Sequence, residues 1–210
     1  MLLHLAEYNR DVVFVHPPRS SGTSIEYSIL QKVRSTPPFQ VPDSVKHYRA
    51  SQIKDQMGDD RWNAAYKFGI VRNPYDLLAS LFVTDEPNYN RYNSKSGNGM
   101  ADFLAVLKFN LERDNLSIPM KWEHGTTCSD YMDEELDFII KYETRKEDIG
   151  EVNKVLKQIG LKIDSSQVKR SHTNKDKNYI GYFDPVSKQL VKRLFKEDFD
   201  RWYGDDFKVQ

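Results

Sequence analysis

The sequence of 210 residues has a single cysteine, Cys128, and no excess of charge of either sign. One cysteine can form no disulfide within the chain and cannot supply a zinc site of several thiolates. Since 31 Lys and Arg balance 31 Asp and Glu, the formal net charge is zero. Charge therefore gives no support to nucleic acid or an anionic membrane as a partner, because such partners require a cationic excess.

Long apolar stretches are also missing. No run approaches the roughly 18–20 apolar residues that a membrane span requires, and residues 1–7 lack the basic start and apolar run of a signal peptide. With 39% hydrophobic and 30% charged residues, the composition is that of a globular protein. We therefore expect a reduced, cytoplasmic protein without a membrane span. At this length we also expect one domain over residues 1–210.

Apolar periodicity and turn residues predict an alternation of strands and helices. The predicted strands are 11–16, 66–71 and 136–142, and the predicted helices are 22–33, 49–57, 74–83, 100–111, 144–160 and 184–199. Polar stretches at 35–44 and 85–99 are predicted to be loops. This alternation favours an α/β fold in which a central parallel sheet is flanked by helices on both faces.

Two helix starts carry local signals. Thr144 and Glu147 have the spacing of a capping box, and Gly160 is a suitable stop for the helix that follows them. Asp184 followed by Pro185 is typical of an N-cap and a first-turn proline.

The most distinctive local segment, residues 16–24, reads HPPRSSGTS and lies between a predicted strand and a predicted helix. A loop in this place can direct successive backbone N–H groups at an anion, and the helix N-terminus adds partial positive charge. Gly22 permits close approach of the backbone. The candidate anion ligands are Arg19, Ser20, Ser21, Gly22, Thr23 and Ser24. This segment predicts a phosphate or phosphosulfate site, against the simpler interpretation of a Ser-rich turn that caps a helix.

A nucleotide kinase or triphosphatase is the rival interpretation of this loop. Its signature, G-x-x-x-x-G-K-[ST], needs a lysine after the last glycine. Here Thr23 follows Gly22 directly, and no glycine lies five positions before Gly22. The sequence thus disfavours this alternative on both counts.

A second segment, residues 68–80, reads FGIVRNPYDLLAS. Arg72 is predicted at the carboxyl end of a strand, which is where open α/β sheets bind their ligands. Ser80 lies eight residues further on, about two helical turns. We therefore expect one cation and one hydroxyl to converge on a second phosphate. A surface arginine at a helix start is the alternative when this segment is taken alone.

Together, the two segments resemble the sulfotransferases that use 3′-phosphoadenosine-5′-phosphosulfate (PAPS), and especially their carbohydrate sulfotransferase branch. In that family a P-[KR]-[ST]-G-[GT]-[TS]-[ST] segment holds the 5′-phosphosulfate, and an R-[ND]-P-x-[DE]-x-x-x-S segment holds the 3′-phosphate. Residues 18–24 correspond to the first segment, and residues 72–80 match the second. Arg19 and Ser21 stand where this branch usually has Lys and Gly.

The resemblance implies a P-loop-nucleotide-hydrolase-like sulfotransferase fold. It also implies PAPS as co-substrate, adenosine 3′,5′-bisphosphate (PAP) as its product, and no metal. The acceptor would bear a hydroxyl, as a saccharide or glycoconjugate does. A non-catalytic nucleotide-binding protein of the same fold remains the alternative, because fold alone does not define chemistry.

The resemblance further implies roles for single residues. Arg19 would stabilise the leaving phosphate, and Arg72 and Ser80 would hold the 3′-phosphate. His47 would be the general base, because imidazole titrates near neutrality. The weaker candidates are His124 and Glu143 for the base, Ser171, Thr173 and Lys175 for a loop that closes over the nucleotide, and Tyr89, Tyr92, Trp122 and Tyr131 for the acceptor site.

Overall fold

The structure is a computed structural model that describes residues 2–5, 10–33, 47–84, 99–112, 127–166, 168 and 179–204. The chain forms two compact units. The first unit comprises Met1–Arg72 and His124–Ser171, and the second comprises Asn73–Glu123 and His172–Gln210. The single domain expected over residues 1–210 stays a prediction.

The described residues form strands and helices in an alternating order. The strands are β1 (Leu2–Leu5), β2 (Arg10–Val15), β3 (Tyr66–Val71) and β4 (Phe138–Lys141). The helices are α1 (Gly22–Val33), α2 (Ala50–Met57), α3 (Asp59–Ala64), α4 (Pro74–Thr84), α5 (Gly99–Glu112), α6 (Cys128–Tyr131), α7 (Arg145–Leu156), α8 (Pro185–Leu194) and α9 (Lys196–Asp198). Short 3₁₀ turns at Lys157–Ile159 and Tyr179–Tyr182 and a π turn at Phe199–Tyr203 complete the order.

The sheet of the first unit has the strand order β1-β2-β3-β4 among the described residues. β2, β3 and β4 run parallel, with Val15 opposite Gly69 and Val71 opposite Lys141. The predicted central parallel sheet is therefore confirmed. Because the three strands are parallel, their carboxyl ends meet at one edge, called the carboxyl edge below. β1 adds an antiparallel edge strand that the sequence did not predict.

Side chains from both faces of this sheet are buried. On one face, Phe14 and Phe68 belong to a cluster with Ile25 of α1 and Ile149 of α7. On the other face, a Cβ added at Gly69 would lie 2.6 Å from the Sδ of Met132. Both faces are therefore covered, as predicted for an α/β sheet.

Most predicted helix signals are confirmed, and one is wrong. Gly160 has a left-handed φ of 72° after the 3₁₀ turn that extends α7, and the carboxylate of Asp184 accepts from the N–H of Ser187 at the start of α8. Thr144, in contrast, makes no side-chain cap. Its hydroxyl donates to the carboxylate of Asp148 at 2.9 Å. The predicted capping box fails because the N–H of Glu147 donates to the backbone carbonyl of Thr144, at 3.0 Å, and not to its hydroxyl.

The second unit has an aromatic core. The Tyr75 ring lies 5.2 Å from the Phe183 ring and 5.5 Å from the Phe199 ring, and Phe82 lies 5.7 Å from Phe103. The helix predicted over 184–199 is interrupted in this unit, since α8 ends at Leu194. Within the described ranges, no helix has both the length and the apolar character needed to cross a membrane.

Candidate anion-binding site at the carboxyl edge

The loop between β2 and α1, residues 16–21, has an unusual backbone. Arg19 and Ser21 have φ values of 64° and 71°, in the left-handed region. Each costs about 1–2 kcal/mol for a residue with a Cβ, and such strain clusters at binding and catalytic sites. Left-handed residues ahead of a helix are also a feature of the backbone concavities that bind anions.

Hydrogen bonds within the loop hold this conformation. The hydroxyl of Ser20 is buried and donates to the carbonyl of Pro17 at 2.7 Å. The carbonyl of Ser21 accepts from the N–H of Ser24 at 3.1 Å and so begins α1. The first turn of α1 leaves Thr23 exposed and Ser24 half-buried. In this structure the Ser20 hydroxyl hydrogen is therefore used in a hydrogen bond within the loop.

Gly22 is required by a close contact inside the protein. A Cβ at this position would lie 2.0 Å from Nδ1 and 2.1 Å from Cγ of His16. The His16 ring is 1% exposed, so it cannot move away into solvent. A side chain at position 22 would therefore displace either the ring or the loop.

Arg72 lies directly after β3 and reaches the same loop. Its Nη1 donates to the carbonyl oxygen of Arg19 at 2.7 Å, and its guanidinium lies 4.2 Å from the centre of the Tyr142 ring. Tyr142 follows β4 and also has the Arg145 guanidinium 4.7 Å from its ring. Residues after three neighbouring strands thus gather at the carboxyl edge.

Two positive charges, those of Arg19 and Arg72, influence each other at this edge. Burial lowers the pKa of Arg19, the positive charge of Arg72 lowers it further, and Tyr142 acts in the opposite direction. An arginine stays protonated in proteins, so the direction of the shift reports the cost of holding this cation beside another in a partly dry site. A bound anion would reduce that cost.

His47 lies beside the loop. Its Nδ1 is 3.3 Å from the carbonyl oxygen of His16, and the two rings meet edge to face with centroids 4.7 Å apart. Because a carbonyl oxygen can only accept, Nδ1 carries the hydrogen and the neutral ring has its lone pair on Nε2. This tautomer can accept a proton at Nε2.

The other predicted site residues have varied positions. Ser80 is buried in α4 of the second unit, and its contact with a 3′-phosphate stays a prediction. Tyr131 is buried in the first unit, and burial raises the pKa of its phenol. Glu143 is half-buried after β4. The candidates outside the described residues are Tyr89, Tyr92, Trp122, His124, Ser171, Thr173 and Lys175.

Two residues of this edge were not predicted from the sequence. Glu26 of α1 is buried, and its Oε1 lies 2.9 Å from Nε2 of His16. The available signal was a carboxylate between Ile25 and Ile29 on the apolar face of the helix, where a charge needs a partner. Tyr142 is the last residue of the predicted strand 136–142, and its place at the carboxyl end of a strand was the available signal.

Among the described residues, no group of three or more His, Cys, Asp or Glu side chains could hold a metal ion. The metal-free reaction implied by the resemblance stays a prediction.

The fold and the edge define a class: an α/β protein with a strained loop between a strand and a helix, and an arginine after the neighbouring strand. The sequence model of the sulfotransferase family matches residues 12–204, nearly the whole chain. The chain therefore belongs to the sulfotransferase family, and the predicted fold and sulfuryl transfer activity are confirmed at that level.

The crystal structure of mouse sulfotransferase SULT7A1 complexed with PAP is 17% identical, with a TM-score of 0.41. The match covers 92% of this chain and 84% of that chain. No curated protein matches the chain by sequence. The family assignment therefore rests on the family model.

Proposed function

We propose that this sulfotransferase takes the sulfuryl group of PAPS and transfers it to a hydroxyl of a carbohydrate-like acceptor, leaving PAP. The observation that carries the proposal is the hydrogen bond from Arg72 to the carbonyl of Arg19, at 2.7 Å. This bond joins two cationic elements that are 53 residues apart in the chain. A nucleotide with phosphates at both ends of its ribose suits two such elements better than a single phosphate does.

The residues of the edge fit a donor of this kind. The strained backbone at Arg19 and Ser21 turns the loop ahead of α1, where N–H groups and the helix N-terminus favour an anion. The lowered pKa of Arg19 marks a cation whose burial an anion would offset. In the proposal Arg19 and the loop through Ser24 hold the 5′-phosphosulfate, while Arg72 and Ser80 hold the 3′-phosphate. Ser171, Thr173 and Lys175 would close over the nucleotide.

The transfer exchanges one S–O bond for another. The bond from sulfur to the phosphate oxygen of PAPS breaks, and a bond forms between sulfur and the acceptor oxygen. The acceptor proton passes to Nε2 of His47, which its Nδ1 hydrogen bond leaves as the basic nitrogen. Arg19 stabilises charge on the leaving phosphate but supplies no proton, because arginine does not deprotonate. As in phosphoryl transfer, the protein mainly aligns the groups and stabilises negative charge.

Support for a saccharide or glycoconjugate acceptor comes from the sequence, since residues 16–24 and 72–80 resemble the carbohydrate branch. The reduced, cytoplasmic setting is supported by the single cysteine, Cys128, which is buried. Both remain parts of the proposal.

The donor is tested by thermal unfolding with PAP, ATP with magnesium, and AMP. At a hundredfold excess over its Kd, a ligand stabilises the folded state by about 2.7 kcal/mol, which raises Tm by roughly 5–10 °C at this size. We expect this rise with PAP and little with ATP. A larger rise with ATP than with PAP would reject the donor and favour the kinase interpretation.

The acceptor is tested by incubating PAPS labelled in its sulfuryl group with a polysaccharide, a glycolipid, a small alcohol and a tyrosine peptide. We expect label in a saccharide-bearing acceptor. Label in the tyrosine peptide alone would contradict the carbohydrate part of the proposal and leave the donor intact. No transfer to any acceptor, with PAP bound tightly, would favour the non-catalytic alternative.

A further inference from the structure

We propose that His16 and Glu26 form a buried positioning pair. The pair holds the loop of residues 16–21 and the ring of His47 in the positions that sulfuryl transfer needs. The proposal rests on the proposed function, because the loop and His47 are its donor site and its base. Neither residue is proposed to contact the substrate. Both act through the loop and His47, which they hold in place.

The pair spans the base of the loop. Nε2 of His16, directly after β2, lies 2.9 Å from Oε1 of Glu26 in α1. The two residues are 1% and 7% exposed. Because a carboxylate oxygen only accepts, Nε2 carries the hydrogen and the ring cannot rotate without losing this bond. The hydrogen bond therefore fixes the ring relative to both ends of the loop.

The oriented ring forms the floor of the loop. It occupies the space that a Cβ of residue 22 would need, and it stacks on Phe14 with centroids 5.1 Å apart. The strained residues Arg19 and Ser21 lie in the loop above it. A strained backbone persists only where the surrounding structure holds it in place. The fixed His16 ring beneath Gly22 is part of the structure that holds this loop.

The same residue also contacts the predicted base. The His16 ring meets the His47 ring edge to face, with centroids 4.7 Å apart, and the His16 carbonyl accepts from Nδ1 of His47. One histidine thus touches the loop through Gly22, the helix through Glu26 and the base through its ring and carbonyl. A displaced His16 would disturb donor binding and the alignment of His47 together.

Stability alone explains the pair poorly. A buried carboxylate costs free energy unless it is well paired, and apolar side chains of similar size often stabilise a fold as well or better. The location of the pair, between the strained loop and the base, is therefore more informative than its hydrogen bond alone. Asp11 provides the comparison, because it is also 7% exposed and bonded, to Arg61, but lies at the opposite end of β2.

The first test measures PAP affinity by calorimetry for Glu26→Leu and Glu26→Gln, with Asp11→Asn as the matched control. We expect Glu26→Leu to weaken PAP binding about tenfold, on the scale of one hydrogen bond to a charged group. Glu26→Gln keeps an acceptor oxygen and should bind within about threefold of the unmodified protein. Asp11→Asn should lower Tm and leave PAP affinity unchanged. If both Glu26 variants bound PAP as tightly as the unmodified protein, the proposed role of the pair would be wrong.

The second test titrates the unmodified chain, and a variant serves only to assign its signals. The chain is labelled with ¹⁵N-histidine, and the His16 signals are assigned by their loss in His16→Gln. Titration with PAP should shift the imidazole signals of both His16 and His47. PAP binding that leaves the His16 signals unchanged would overturn this inference while preserving the donor assignment. A chain that binds no PAP at all would overturn the proposed function first, and the role of the pair with it.

Discussion

Arg61 and Arg19 lie at opposite ends of the same sheet and meet opposite surroundings. At the amino end, Nε and Nη2 of Arg61 donate to the two carboxylate oxygens of Asp11, both at 2.9 Å. That hydrogen bonding, with the charge of Asp11, raises the pKa of Arg61. At the carboxyl edge, burial and then the charge of Arg72 lower the pKa of Arg19.

The difference separates a cation whose pKa a bonded carboxylate raises from a cation whose pKa burial and a neighbouring arginine lower. Arg61 has a bidentate carboxylate from Asp11 in β2, and its side chain is half exposed, so the pair contributes at most about 1 kcal/mol to stability. Arg19 faces another cation in a partly buried loop with strained backbone. An arrangement that costs free energy in the isolated protein is expected where binding recovers it.

The largest expected effect is that of His47→Ala on turnover. Loss of a general base should lower kcat by about 10²–10⁴-fold, while PAP affinity stays close to normal because the loop and Arg72 are intact. The measurement is transfer of labelled sulfuryl to the acceptor found by screening. Added imidazole should restore part of the activity. Near-normal turnover in His47→Ala would remove His47 as the base and confine the function of the carboxyl edge to binding.

Arg72→Ala should have the next largest effect. Its guanidinium anchors Arg19 and, in the proposal, the 3′-phosphate, so its loss should weaken PAP binding by about 10–100-fold. Arg61→Ala is the matched control, and it should leave PAP affinity within about twofold. Calorimetry of both variants at neutral pH compares the two ends of the sheet directly. If both variants bound PAP equally well, the contrast between the ends would have no functional meaning.

Gly22→Ala should have a smaller effect that reports on the loop. The new Cβ would meet the buried His16 ring, and such overpacking costs about 1–3 kcal/mol of stability. Gly150 in α7 has no neighbouring atom within 4 Å of an added Cβ. Gly150→Ala should therefore stabilise the protein by up to about 1 kcal/mol. Urea unfolding measures both changes, and PAP affinity should fall only for Gly22→Ala. An unchanged midpoint for Gly22→Ala would show that the loop is less constrained than its contacts indicate.

The sequence predicted the parts of this fold that local patterns determine. α1 and β3 have the predicted bounds, because their apolar periodicity is bounded by turn residues. Arg72 follows its strand as predicted, and parallel pairing brings that strand end next to the loop. β1 was not predicted, since four residues carry little pattern and the strand depends on pairing with β2.

The parts that escaped prediction join residues distant in the chain. The bond from Arg72 to Arg19 spans 53 residues, and the stacking of Arg72 on Tyr142 depends on strand order, which periodicity does not contain. The partner of Glu26 was hidden for a related reason. His16 looked like a strand-end residue, and only the turn of the loop brings it to the helix. Nothing in the sequence indicated the left-handed φ of Arg19 either, because residues with this φ are usually glycine or asparagine.

The smallest expected effect at neutral pH concerns Tyr66, at the amino end of β3. Burial, and then the charge of Asp137, raises the pKa of its phenol to about 12. Since the folded state holds this proton more tightly than the unfolded chain does, Tyr66 contributes stability that is present below pH 10 and is lost as pH rises from 10 to 12. Phenylalanine cannot ionise, so unfolding by urea should show that Tyr66→Phe loses about 2 kcal/mol less than the unmodified protein over this interval. Tyr27→Phe, at a site that is 53% exposed, should lose as much stability over this interval as the unmodified protein.

Tyr66 lies at the amino end of the sheet, away from the carboxyl edge, so its substitution should leave PAP affinity at neutral pH unchanged. A changed affinity would mean that the two ends of the sheet are coupled.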